Sequence, residues 1–97
     1  MYRDGENGVP QDYAEALKWF RRAADNAAAQ YNLGFMYRNG QGVPKDDVLA
    51  YMWFNLSAAQ GDKDAAELRD LLAKTMTPAQ IADAQRLARE WKPKPKR

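Results

Sequence analysis

The sequence predicts an all-α fold, a short α-solenoid of antiparallel helical hairpins, and three observations carry that prediction. Alanine is the commonest residue, and the apolar residues fall at helical spacing without long Val, Ile or Thr runs. The chain is 45% hydrophobic with charges of both signs, which suits a folded domain rather than a disordered one. Finally, the phrase GVPQD at residues 8–12 returns as GVPKD at 42–46, and the same shift pairs Ala16 with Ala50, Trp19 with Trp53, Phe20 with Phe54 and Ala24 with Ala58. A period in the mid-thirties belongs to helix–turn–helix arrays, whose units bury their apolar faces only against neighbours.

The elements follow in order. Met1, Tyr2 and Gly5 echo Met36, Tyr37 and Gly40, so the chain opens at what corresponds to the end of a repeat's first helix. A helix over about 12–25 is expected, with Tyr13, Ala16, Leu17, Phe20 and Ala24 on one side, and with Asp12 and Glu15 in capping-box register. The next, over about 28–38, carries Leu33, Met36 and Tyr37. Its Gly34 costs about 1 kcal/mol relative to alanine, which close approach of another helix, through an aromatic ring, would explain. Gly40 can take the left-handed conformation that ends this helix, Pro44 fixes the chain, and Asp46 caps a helix over about 46–59 carrying Ala50, Trp53, Phe54 and Ala58. A third unit starts at GDKDAAELRDLLAK, but TMTPAQ follows in place of a GVP loop, giving Thr77 as cap, Pro78 at the first helical position and Gln80 at the third. That terminal helix, running to about Trp91, should bury Ile81, Ala84 and Ala88 and expose Asp83, Arg86 and Glu90. The expected organisation is one domain over 1–91, comprising an incomplete first repeat (1–27), a full repeat (28–61) and capping helices (62–91), followed by a basic disordered tail (92–97).

The junction between units leaves two alternatives open. After Phe54 the chain reads NLSAAQGDKDAA, with a Gly61 turn, whereas RRAADNAAAQYN after Phe20 is shorter and lacks glycine. Asp25 and Asn26 cost a helix only a few tenths of a kcal/mol each. They form either a tight turn in a compact monomer or the middle of one fused helix spanning about 13–38, roughly 39 Å long. In the fused form a second molecule would supply the missing contacts by exchange, giving a domain-swapped homodimer.

Chemistry is sparse. The chain has neither histidine nor cysteine, which removes the commonest general base, the commonest nucleophilic dyads and nearly all transition-metal ligand sets. Asp46–Asp47 and Asp62/Asp64 precede helices, where carboxylates meet exposed amides, so no enzyme, metal or cofactor is expected. The net charge of +2 is set by the tail, since Lys92, Lys94, Lys96 and Arg97 hold four of the 15 basic residues and none of the 13 acidic ones. The body is slightly acidic, and neither nucleic acid nor membrane is an expected partner. No apolar run approaches a membrane span and the opening residues lack a secretory pattern. A soluble chain is therefore expected, cytoplasmic or, had a leader been removed, periplasmic.

GxGVPxDxxxAxxWFxxAA, preceded by AQYNLGFMYRNG, closely resembles the Sel-one-like repeat, a relative of the tetratricopeptide repeat, over about residues 1–74. The ending MTPAQIADAQRLAREW is similar to the closing helix of bacterial members. The resemblance implies a bacterial-type α-solenoid that serves as a non-catalytic protein–protein interaction scaffold. In such a solenoid the first-helix face lines a concave groove, which makes Tyr31, Phe35 and Arg38, at i, i+4 and i+7, candidate peptide- or partner-binding residues. Tyr51 and Asn55 form a second, weaker candidate pair. The same side chains would equally serve to cover the truncated first unit or to join two copies in a self-assembling structural fragment with no ligand of its own.

Overall fold

Each helix begins and ends where the side chains can satisfy its terminal amides and carbonyls. In the computed structural model, which describes residues 9–92, α1 runs Val9–Arg22, α2 Ala27–Asn39, α3 Asp47–Ala59, α4 Lys63–Ala73 and α5 Pro78–Glu90. Asn26, Asp46, Asp62 and Thr77 cap the last four, each side-chain oxygen accepting an amide of the first turn. At α5 the cap is reciprocal: Thr77 Oγ1 accepts from the Gln80 amide (3.1 Å), and Gln80 Oε1 accepts from the Thr77 amide (2.9 Å). Gly40 ends α2 in the left-handed region, φ 68°. The Asp46 amide then donates to the Tyr37 carbonyl at 2.9 Å, tying the GVPKD loop back to the helix it leaves.

In the first copy one expectation is corrected and one open alternative is decided. α1 starts at Val9, so Asp12 lies inside the helix instead of capping it, and it ends at Arg22, three residues early. The continuous helix over 13–38 does not form, because the chain turns at residues 23–26. The echoes at Met1, Tyr2, Gly5 and Gly8, and the tail from Pro93, lie outside the described residues.

α3 is the hub of the packing. α2 and α4 flank it and α5 lies against it, whereas the extensive contact of α1 is with α2. Phe54, Leu33, Ala50, Ala65 and Ala84 are fully buried, and Tyr51, Leu72 and Met76 nearly so. The glycine in α2 has the role its position implies. A Cβ at Gly34 would come within 2.6 Å of Phe54 Cδ1 and Cε1, so the ring occupies the space a side chain would need. At the far end α5 closes the stack, with Ala84 and Ala88 buried, Ile81 half-buried, and Trp91 edge-on to Trp53 at 5.7 Å.

Candidate partner-binding face

The junction between α1 and α2 decides which faces stay free. Its turn contains no glycine. The Asn26 amide bonds the Ala23 carbonyl (2.8 Å), and Asn26 Oδ1 accepts from the amides of Ala28 (2.8 Å) and Ala29 (3.3 Å). The Ala24 and Asp25 carbonyls of the turn, and that of Ala27 just after it, are met by side chains. Gln30 Nε2 donates to Ala24 O (2.7 Å), Gln60 Nε2 to Asp25 O (3.1 Å) and to Gln30 Oε1 (2.9 Å), and the Ser57 hydroxyl lies 2.8 Å from Ala27 O. Gln30 and Ser57 are buried at 1% and 0% exposure, and each has a partner, so the network costs little in unsatisfied polar groups. The second junction needs no such help, because Gly61 turns the chain at φ 102° and Asp62 caps α4.

With the chain folded back, α2 presents its candidate residues beside α3. Tyr31 and Phe35 meet edge to face at 5.3 Å, and both rings approach Phe54, at 5.9 and 6.1 Å. They are half-buried, with the inner side of the pair in the core and the outer side at the surface. Burial, together with the carboxylates of Asp64 and Asp62, raises the Tyr31 phenol above its ordinary pKa. Arg38 is half-buried in the last turn of α2, where the helix carbonyls favour a cation.

The second candidate pair is engaged within the chain. Tyr51 is only 7% exposed, covered by α5, with Gln85 Nε2 donating to its hydroxyl at 3.4 Å. Asn55 is half-buried and accepts from Arg69 at 3.0 Å, so its carbonyl oxygen is engaged within the chain. Asp25 and Asn26 mark the turn described above. Two exposed apolar side chains, Trp19 (61%) and Leu71 (53%), were not singled out by sequence reasoning. A shallow groove between the start of α3 and α5, lined by Val48, Ala79, Ala82, Arg86 and Arg89 among others, shares no residue with the aromatic face. Arg86 there is spent on Asp83 and Glu90, which raise its pKa further.

Among the described residues no group of three or more His, Cys, Asp or Glu is placed to hold a metal ion, and no helix is long and apolar enough to cross a membrane.

The Sel1 repeat model matches residues 1–26 and 27–62. Over 85 residues the chain is 36% identical to the chitin synthase regulator SKT5 of Malassezia restricta, covering 84% of this chain and 6% of that protein. Over 63 residues it is 41% identical to chitin synthase regulatory factor 3 of Schizosaccharomyces pombe, covering 62% of this chain and 7% of that protein. A chitin synthase regulator SKT5 of Saccharomyces cerevisiae is 34% identical over 62 residues, 62% of this chain and 9% of that one. The chain thus spans less than a tenth of the length of the curated relatives it matches. Those relatives are fungal, which overturns the bacterial assignment that the resemblance had suggested.

Proposed function

The chain belongs to the Sel1 repeat family, and from that premise we propose that it is a non-catalytic interaction module holding a protein or peptide on the α2 face of Tyr31, Phe35 and Arg38. The observation that carries this reading is the aromatic pair itself. Two rings locked edge to face on a fully buried Phe54 give a rigid apolar surface, which a partner can cover without ordering new side chains. A catalytic alternative finds little support: the sequence lacks His and Cys, and Asp46 and Asp62 are occupied as helix caps. The relatives are named as regulators of chitin synthase, and this favours a macromolecular partner over a small substrate.

The test is affinity capture from the source cells with wild type, Tyr31→Ala/Phe35→Ala and Arg38→Glu, each checked for helicity by circular dichroism. Folded variants should lose the same partners. Unchanged recovery by all of them would contradict the assignment.

A second reading, self-assembly without a ligand, is favoured by one observation, the Trp19 indole left 61% exposed on α1. Light scattering after size exclusion separates the two. A monomer at high micromolar concentration would remove this reading, and a dimer dissolved by Trp19→Ser would support it.

A further inference from the structure

One face of α1 departs from its counterpart on α3 in a way that describes what can cover it. Moved by the repeat shift, Leu49, Met52 and Leu56 of α3 correspond to Glu15, Lys18 and Arg22 of α1, while Trp53 corresponds to Trp19. Only the tryptophan is common to both. In α3 these side chains are buried or half-buried, and in α1 all four are exposed, Trp19 at 61%. Leu, Met and Trp together suit permanent burial, whereas three charges around one indole suit a surface that stays wet until a matching surface meets it.

Glu15, Trp19 and Arg22 lie at i, i+4 and i+7, so they form one stripe along α1, with Lys18 beside it. Glu15 and Arg22 stand about 10 Å apart along the helix, on either side of the indole. Their contacts within the chain are weak. Lys18 Nζ lies 3.8 Å from Glu15 Oε1 with both side chains largely in water, and the Arg22 guanidinium stands 5.5 Å from the Trp19 ring centre. Arg21 points away from the stripe and donates to the Tyr37 hydroxyl at 3.2 Å. An occupant of this face must bring a cation to Glu15 and an anion to Arg22, with a ring or an alkyl stem between them. The stripe meets that description itself when it is turned end for end.

We propose that a second copy of the chain docks here, the two α1 helices lying antiparallel about a two-fold axis between Lys18 and Trp19. Glu15 of each copy then faces Arg22 of the other, and each Trp19 ring lies on the alkyl stem of the other copy's Lys18. The Lys18 ammonium, the one charge left without an opposite, stays in water at the rim. A contact between two single helices is small beside the roughly 1,200 Å² of a stable interface, so the dimer is weak, with a Kd on the order of 100 μM. The inference rests on the self-assembly reading of Trp19 and adds the orientation and the contacts. It uses no residue of the Tyr31–Phe35–Arg38 face.

Sedimentation equilibrium of the full chain, from about 20 μM to about 1 mM, tests the orientation by charge reversal. Wild type should pass from monomer toward dimer mass across this range. Glu15→Arg and Arg22→Glu, each checked for helicity by circular dichroism, should each weaken dimerisation roughly tenfold, because both cross-pairs become like charges. Combining the two in one chain, E15R/R22E, should restore the dimer, and an equimolar mixture of the single variants should form a heterodimer. Wild type that stays monomeric throughout would overturn the inference and the self-assembly reading together. A dimer that ignores both single variants, or that the double variant fails to restore, would overturn the antiparallel contact alone.

Discussion

Phe20 and Phe54 stand at equivalent positions of the two copies, as do Trp19 and Trp53, yet they end in different surroundings. Phe54 is fully buried among Gly34, Tyr31 and Phe35, and Phe20 is half-buried. Trp53 packs on Trp91 of the closing helix, whereas Trp19 is 61% exposed, with the Arg22 guanidinium 5.5 Å from its ring. A repeated phrase therefore specifies a helix and its apolar side, but not how much of that side is covered. Coverage depends on neighbours. Among the described residues, three helices pack extensively on α3 and one on α1.

The comparison breaks hardest at the phenylalanines. Phe54→Ala empties a site closed on every side and should cost about 3–5 kcal/mol in urea unfolding. Phe20→Ala, at a half-open site, should cost about 1–2 kcal/mol. Equal costs would mean that α1 is buried as deeply as α3.

Gly34→Ala comes next. The added methyl meets the Phe54 ring at 2.6 Å, and that ring has nowhere to go, so overpacking of about 1–3 kcal/mol should outweigh any gain in helix propensity. A stabilised variant would show that α2 and α3 can separate freely.

The two junctions sharpen the same contrast. Asn26→Ala removes the cap that starts α2 and should cost about 1 kcal/mol. Gly61→Ala should cost about as much for a different reason: nothing lies within 4 Å of the added carbon, and the strain is in a backbone at φ 102°. If Asn26→Ala instead raised helicity and doubled the mass, the first junction would be a poised fused helix. The smallest effect is expected at Trp19→Ala, within about 0.5 kcal/mol in the monomer, because the indole is mostly in water already.

What the sequence revealed follows the range of the interactions concerned. Local signals were legible: the Thr77–Gln80 capping box, the left-handed Gly40, the Asp46 cap and the small residue opposite an aromatic ring all read correctly from a few neighbouring letters. The turn at residues 23–26 was not legible, because Gln60, 35 positions away, meets its Asp25 carbonyl, and Ser57, 30 positions away, bonds the Ala27 carbonyl just after it. Propensity alone left turn and continuous helix in balance, and tertiary hydrogen bonds decided between them. The depth of Tyr51 was hidden for a related reason. Its position on α3 looks surface-facing until α5 is laid across it, and the register of α5 on α3 is set by Ala84, Ala88 and Trp91. Among the candidate residues, the side-by-side placing of Tyr31 and Phe35 was implied by their spacing, while their shared footing on Phe54 was not.

Native-state hydrogen exchange, resolved by residue, tests the unequal use of the two copies most directly. The account predicts that amides of Ala16–Phe20 in α1 exchange through local opening, well below the free energy of global unfolding. Those of Ala50–Phe54 in α3 should exchange only when the whole domain unfolds. Equal protection of the two segments would contradict it.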